Sequence, residues 1–158
     1  MPATSATPEP VTRFLAAGRI AVVGASRDRS QPGNAIYRRL RHAGLPVVAV
    51  NPRATEIEGD PCAADLGSLA ESPAAVLVAT PPAAAVEIVR QCVEYGIRHV
   101  WFHRSFGAGS VAPAAIALCR EHGIEFIAGG CPMMFCGQVD PFHRCLRWWL
   151  QRTGRAPR

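Results

Sequence analysis

The sequence predicts an α/β fold: a single-domain, Rossmann-like, doubly wound and mainly parallel sheet of about five strands, with helices on both faces. Three observations carry this. Short runs apolar at every position recur along the chain, stretches with one apolar helical face separate them, and glycine or proline marks nearly every junction. A strand that is apolar on both sides must be covered on both sides, as in a parallel sheet. Right-handed crossovers between such strands then wind the sheet both ways from its middle.

The 158 residues, 49% hydrophobic and 18% charged, suit one domain with a real core. Met1 to Pro10 is small, polar and proline-containing, without the basic and apolar segments of a secretory signal. Residues 1–12 read as a flexible lead-in, 13–152 as the domain and 153–158 as a mobile tail. No apolar run approaches the ~18 residues of a membrane span, so a cytoplasmic location and no membrane partner are expected. In that setting Cys62, Cys92, Cys119, Cys131, Cys136 and Cys145 are expected to be free thiols.

The elements follow in order. Arg19 to Gly24 is an apolar strand ending in glycine. Gly33 to His42 is a helix with Ile36 and Leu40 on one face and Arg38, Arg39 and Arg41 mostly on the other; Gly44 stops it. Pro46 to Val50 is a second strand, closed by Asn51-Pro52. Arg53 to Ser72 is loop-rich, with room for a short strand near Ile57 and a helical turn near Leu66 to Ala70. Ala75 to Ala79 is a strand ended by Thr80-Pro81-Pro82, and Ala83 to Tyr95 a helix with Val86, Val89 and Val93 at helical spacing. His99 to Phe102 is a strand, Val111 to His122 a helix and Ile124 to Ala128 the last strand. Pro141 to Arg152 is an amphipathic helix whose apolar stripe is Phe142, Cys145, Leu146, Trp149 and Leu150. Trp149 is expected in the core, and Trp148 as an exposed anchor in the event of a homodimer.

Net charge is +5, and every positive side chain is arginine, because the chain contains no lysine. Schiff-base chemistry is therefore excluded, and any anion held by a charged side chain is held by guanidinium, which suits phosphate. Arg144, Arg147, Arg152, Arg155 and Arg158 crowd the C-terminus. They read as a solvated helix face and tail, and a nucleic-acid partner is not expected.

In a doubly wound sheet the ligand sits beyond the carboxyl ends of the strands, where strand order reverses. The first strand ends in Gly24-Ala25-Ser26-Arg27-Asp28-Arg29-Ser30-Gln31-Pro32-Gly33-Asn34. Glycine allows a tight turn and close approach to a phosphate, and the following helix tip offers free N–H groups. Ser26 and Ser30 supply hydroxyls; Arg27 and Arg29 supply charge. This is not the G-x-G-x-x-G dinucleotide fingerprint, since Ser26 replaces its second glycine and the loop before Gly33 is longer. After the second strand an NAD site usually has a carboxylate for the ribose. Here the residues are Asn51, Pro52 and Arg53, which suit a ribose carrying an extra phosphate: NADP at the 2′ position or coenzyme A at the 3′ position. Thr80-Pro81-Pro82 forms the third loop, a helix start that also makes a rigid apolar wall.

These residues resemble the small stand-alone CoA-binding proteins, which are similar to the nucleotide-binding domain of the succinyl-CoA synthetase alpha subunit. The pieces are G-A-S at Gly24 to Ser26, H-A-G-L-P-V-V-A-V-N-P at His42 to Pro52, I-E-G-D-P-C-A-A-D-L at Ile57 to Leu66, Pro81-Pro82, Y-G-I-R-H-V-W at Tyr95 to Trp101, and Cys131. The resemblance implies coenzyme A as ligand, with the Gly24–Ser26 turn on the diphosphate and Asn51–Arg53 facing the adenosine end. Three stretches depart from it: Gln31 stands where relatives often carry Lys or Arg, His103-Arg104-Ser105-Phe106-Gly107 replaces their Gln and Gly, and the tail from Cys131 to Arg158 differs from the compact family pattern.

The candidate binding residues are thus Gly24, Ala25, Ser26, Arg27, Gln31, Asn34, Asn51, Pro52, Arg53, Thr80, Pro81, Pro82 and His103. His103 directly follows a strand, where it would contact a phosphate or act as a base. No constellation of acid, base and nucleophile stands out. The cysteine and histidine spacing of Cys131, Cys136, His143 and Cys145 matches no common zinc framework, and Cys131 reads as a buried structural thiol. The expected function is binding of coenzyme A or an acyl-CoA by a non-catalytic or regulatory module. The alternatives are an NADP-dependent oxidoreductase and an interaction protein that has lost its nucleotide.

Overall fold

A computed structural model of the chain describes residues 6–157. Its strands are β1 (Ile20–Val23), β2 (Val47–Val50), β3 (Glu56–Ile57), β4 (Asp60–Ala63), β5 (Ala75–Val78), β6 (His99–Phe102) and β7 (Glu125–Ala128). The helices are α1 (Glu9–Ala16), α2 (Pro32–His42), α3 (Pro82–Glu94), α4 (Pro113–Glu121) and α5 (Pro141–Arg152), with short 3-10 turns at Leu66–Ser68 and Pro132–Met134. The sheet order is β3-β4-β2-β1-β5-β6-β7. All pairings are parallel except β3 with β4. Strand order reverses between β1 and β5, which fixes the crevice at their carboxyl ends.

The five expected strands are present, and two more extend the sheet. β3 and β4 come from the loop-rich stretch, where only one short strand was expected. β3 escapes hydrophobic patterning because it is two residues long, and β4 because it opens on Asp60-Pro61 and buries none of its residues fully. Between them Glu58 (φ 52°) and Gly59 (φ 85°) make a two-residue hairpin turn with both central residues left-handed.

Alternate residues of each strand feed two cores. Ile20, Val22, Ala75, Leu77 and Trp101 meet α1, α2 and α5 on one face, while Ala21, Val23, Val76, Val78 and Phe102 meet α3 and α4 on the other. Trp101 anchors the first core: its ring stacks edge-on against Phe14 at 5.3 Å, and its Nε1 donates to the Gly129 carbonyl at 2.9 Å.

The structure shifts three expectations. Helix α1 begins inside the stretch read as a lead-in, and its Val11 is fully buried. Residues 1–5 lie outside the described residues. The C-terminal stretch 153–157 folds back, with Arg155 N–H donating to Leu150 and Ala156 buried in the first core; Arg158 lies outside the described residues. Helix α5 buries only Leu146 and Leu150 of its apolar stripe. Phe142 is 60% exposed and Trp149 44%, so Trp149 is not core; Trp148 is 57% exposed, as its position off the stripe implies. The buried edge instead takes His143 and Arg147, and Arg147 lies over the Phe135 ring at 4.6 Å. A long arginine stem covers apolar surface as an aromatic would, which hydrophobic spacing does not reveal.

Trp101→Ala should destabilise the protein by about 3–5 kcal/mol, from the cavity it leaves and the orphaned Gly129 carbonyl. Urea denaturation monitored by far-UV circular dichroism would measure it.

Candidate functional site

The crevice is built on two glycines. Gly24 follows β1 with φ 110°, and a Cβ there would run into the Ala79 carbonyl and come within 3.1 Å of the Thr80 methyl. Gly33 lies in the first turn of α2; a Cβ there would fall 2.8 Å from both the Ala25 nitrogen and the Gly24 carbonyl oxygen. The helix tip therefore seats directly on the turn after β1. Gly33 does the close-packing work of the last glycine in a dinucleotide fingerprint, reached through a longer loop.

Asn34 locks this arrangement. It is fully buried; its Oδ1 accepts from Ser26 N–H at 2.8 Å and its Nδ2 donates to the Ser26 carbonyl at 2.8 Å. Asn51 does the same from β2, donating through Nδ2 to the Ala25 carbonyl at 2.8 Å and accepting from Arg53 N–H at 2.8 Å. Asparagine suits both places because its amide donates and accepts at once. The two residues fix the backbone of the turn from opposite sides.

Asp28 organises the outer loop. Its carboxylate accepts from Ser30 N–H (3.0 Å), Ser30 Oγ (2.6 Å) and Gln31 Nε2 (2.9 Å). These bonds hold its pKa down at about 2, led by the Ser30 hydroxyl. The Ser26 hydroxyl accepts from Asp28 N–H and donates to the Asp28 carbonyl. Ser26, Ser30 and Gln31 side chains thus serve the loop itself. That corrects the expectation of free hydroxyls.

Ser26, Arg27, Asp28, Asn51, Arg53 and Ala54 line an open cavity of about 540 Å³. A neighbouring cavity of about 480 Å³ shares Ser26 and Arg27 and is walled by the β3–β4 hairpin. No carboxylate among the described residues pairs with the Arg27 or Arg53 guanidinium, and both residues are exposed. Arg29 is different, being held by Glu58, a residue absent from the sequence-derived set. The only advance sign of Glu58 was the I-E-G tripeptide.

Thr80 sits at the end of β5 across the switch point. Its carbonyl accepts from Ser110 Oγ at 2.6 Å, while its own Oγ1 is buried without a hydrogen-bond partner among the described residues. Pro81 caps α3 and is exposed, and Pro82 is its first residue; Pro52 is exposed beside Arg53. His103 follows β6, one strand beyond β5, and does not line the two cavities. Its Nε2 lies 3.3 Å from Ser105 Oγ, and burial lowers its pKa to about 4, so it is neutral near pH 7. Cys131 is buried, and desolvation raises its thiol to about 11. It is protonated near neutrality and not poised as a nucleophile.

A sheet wound in both directions from β1 and β5, with a glycine turn under a helix tip at the reversal, makes this a Rossmann-like α/β protein. The chain belongs to the CoA binding domain family, whose profile matches residues 18–136. Over 73 residues it is 33% identical to an ADP-forming acetate–CoA ligase of Archaeoglobus fulgidus, a match spanning 46% of this chain and 11% of that enzyme. The chain therefore corresponds to a small part of that relative's length. A hypothetical protein from Pyrococcus horikoshii superposes with a TM-score of 0.74 at 26% identity, over 84% of this chain and 92% of that one. A dinucleotide-forming acetyl-coenzyme A synthetase of Ca. Korarchaeum cryptofilum, in complex with phosphate and ADP, shares the fold. Its TM-score is 0.64 at 22% identity, over 77% of this chain and 27% of that one.

The folded chain binds the His103 proton less well than the unfolded chain does. Its contribution to stability is intact above about pH 6.5 and is lost as pH falls toward 4. Urea midpoints measured from pH 7 to 4 should therefore decline, and His103→Gln should flatten that decline.

Proposed function

We propose that this protein binds coenzyme A, or an acyl-CoA, in the crevice between the Gly24–Ser26 turn, Asn51–Arg53 and Thr80, as a binding module without chemistry of its own. The observation that carries the reading is the pair of uncompensated guanidiniums, Arg27 and Arg53, on one cavity beside a glycine turn and a helix tip. Family membership supports coenzyme A as the nucleotide.

The residues present fit that ligand. Gly24 and Gly33 give the close backbone approach a diphosphate needs, and α2 directs the positive end of its dipole at the same place. Arg53, at the end of β2 where an NAD site has a carboxylate, would hold the ribose 3′-phosphate. Thr80 Oγ1, buried at the reversal, is a hydrogen-bonding group without a partner among the described residues, and a ligand would supply one. The neutral His103 and protonated Cys131 support a role in binding and not in acyl transfer.

Thermal shifts with coenzyme A, dephospho-coenzyme A and NADP test this. Coenzyme A at ~100 times its Kd should add about 2.7 kcal/mol. A shift with NADP alone would overturn the reading. Arg53→Ala should weaken coenzyme A more than dephospho-coenzyme A; equal losses would remove Arg53 from the 3′-phosphate. Thr80→Val should leave the free protein equally stable or more so, since it deletes an unsatisfied hydroxyl, yet weaken coenzyme A. Calorimetric titration paired with melting curves separates those two effects.

A further inference from the structure

We propose that Glu58 sets the specificity of the crevice by sequestering Arg29 and Arg38, leaving Arg27 and Arg53 as the two guanidiniums that meet an incoming phosphate. The inference rests on the nucleotide reading of the crevice and adds to it a residue that decides which cations are available.

The Glu58 side chain is only 1% exposed, although it belongs to a hairpin tip. The left-handed turn at Glu58-Gly59 directs the carboxylate back onto the first loop and α2. There Oε2 accepts from Arg29 through Nε at 3.1 Å and Nη2 at 3.0 Å, a forked contact to one oxygen. Oε1 accepts from Arg38 Nη1 at 2.7 Å and from Asn34 Nδ2 at 2.9 Å. A desolvated carboxylate needs a paired cation, and Glu58 has two, so its charge stays compensated unless both are removed. Arg29 is 75% exposed and lines the neighbouring cavity, and among the described residues Glu58 is the carboxylate that engages its guanidinium there. The hairpin is stitched to α2 a second time, by Arg41 Nη1 donating to the Glu58 carbonyl at 2.9 Å and to Asp60 at 2.6 Å. These two bonds fix the hairpin backbone from which the carboxylate projects.

Arg27, Arg29 and Arg53 thus line the two cavities, while Arg38 meets Glu58 from α2, and the single negative charge of Glu58 is shared between Arg29 and Arg38. A nucleotide with its phosphates in the correct places meets Arg27 and Arg53. A generic polyanion, which needs only density of charge, meets a weakened field.

The test is calorimetric titration of the full chain with coenzyme A and with inorganic tripolyphosphate. Arg29→Ala should stay within about twofold of the parent for both ligands, because that cation is already committed. Arg27→Ala and Arg53→Ala should each weaken coenzyme A by roughly tenfold or more, as loss of a charge-assisted hydrogen bond does. Glu58→Gln keeps an acceptor for Asn34 but frees both arginines. It should bind tripolyphosphate roughly tenfold more tightly and with a steeper salt dependence, by about one added cationic contact or more. A tenfold loss of coenzyme A in Arg29→Ala would make Arg29 a ligand contact and overturn the proposal. So would an unchanged tripolyphosphate affinity in a natively folded Glu58→Gln. If Glu58→Gln does not fold, the three arginine variants decide. Tripolyphosphate binding without coenzyme A binding would defeat the coenzyme A reading while still scoring Glu58. Binding of neither would overturn both.

Discussion

The close seating of α2 on the turn after β1 is the constraint on which the crevice depends. It exists because Gly24 and Gly33 have no side chains, so two backbones meet where Cβ atoms would collide. Once they meet, Asn34 becomes buried and can bond to both the N–H and the carbonyl of Ser26. That bond pair fixes the direction in which the loop leaves the sheet, and hence where Arg27 projects. Asn51 repeats the device from β2. The glycine contact thus sets the shape, and the Asn34 and Asn51 amides make it rigid.

Charge is distributed in the opposite way from what the composition implies. A chain with net charge +5 and no lysine reads as rich in free cations. In the folded state Arg29 and Arg38 are spent on Glu58, Arg41 on Asp60 and Arg39 on Asp140. The field of the crevice comes from a few guanidiniums and a helix tip. Such a site draws selectivity from placement rather than from total charge.

The two faces of the sheet are unequal. α3 and α4 cover one side with small and branched residues. The other side is closed by α1, α2 and α5 around Trp101, with the chain from Arg155 to Pro157 laid against Gly129 and Gly130. On α5 the arginine stem of Arg147 does the covering, and Phe142, Trp148 and Trp149 face outward.

The α/β class, the five apolar parallel strands and the strand-end loops that form the crevice are legible in the residues alone. Each depends on local signals: continuous apolar runs, helical spacing, and glycine or proline at the junctions. The residues alone also place Ser26, Arg27, Asn51 and Arg53, which meet on one cavity because strands 1 and 2 are neighbours in any such sheet. Which of the arginines are engaged is set in the folded chain, since that depends on Glu58, twenty-nine residues beyond Arg29, arriving through a hairpin too short to show in the pattern. The folded chain likewise leaves Trp149 exposed, because a helix's buried edge is chosen by what it packs against and not by its own spacing alone. Residue types and periods are written in the chain; the pairing of distant charges is written only in its folding.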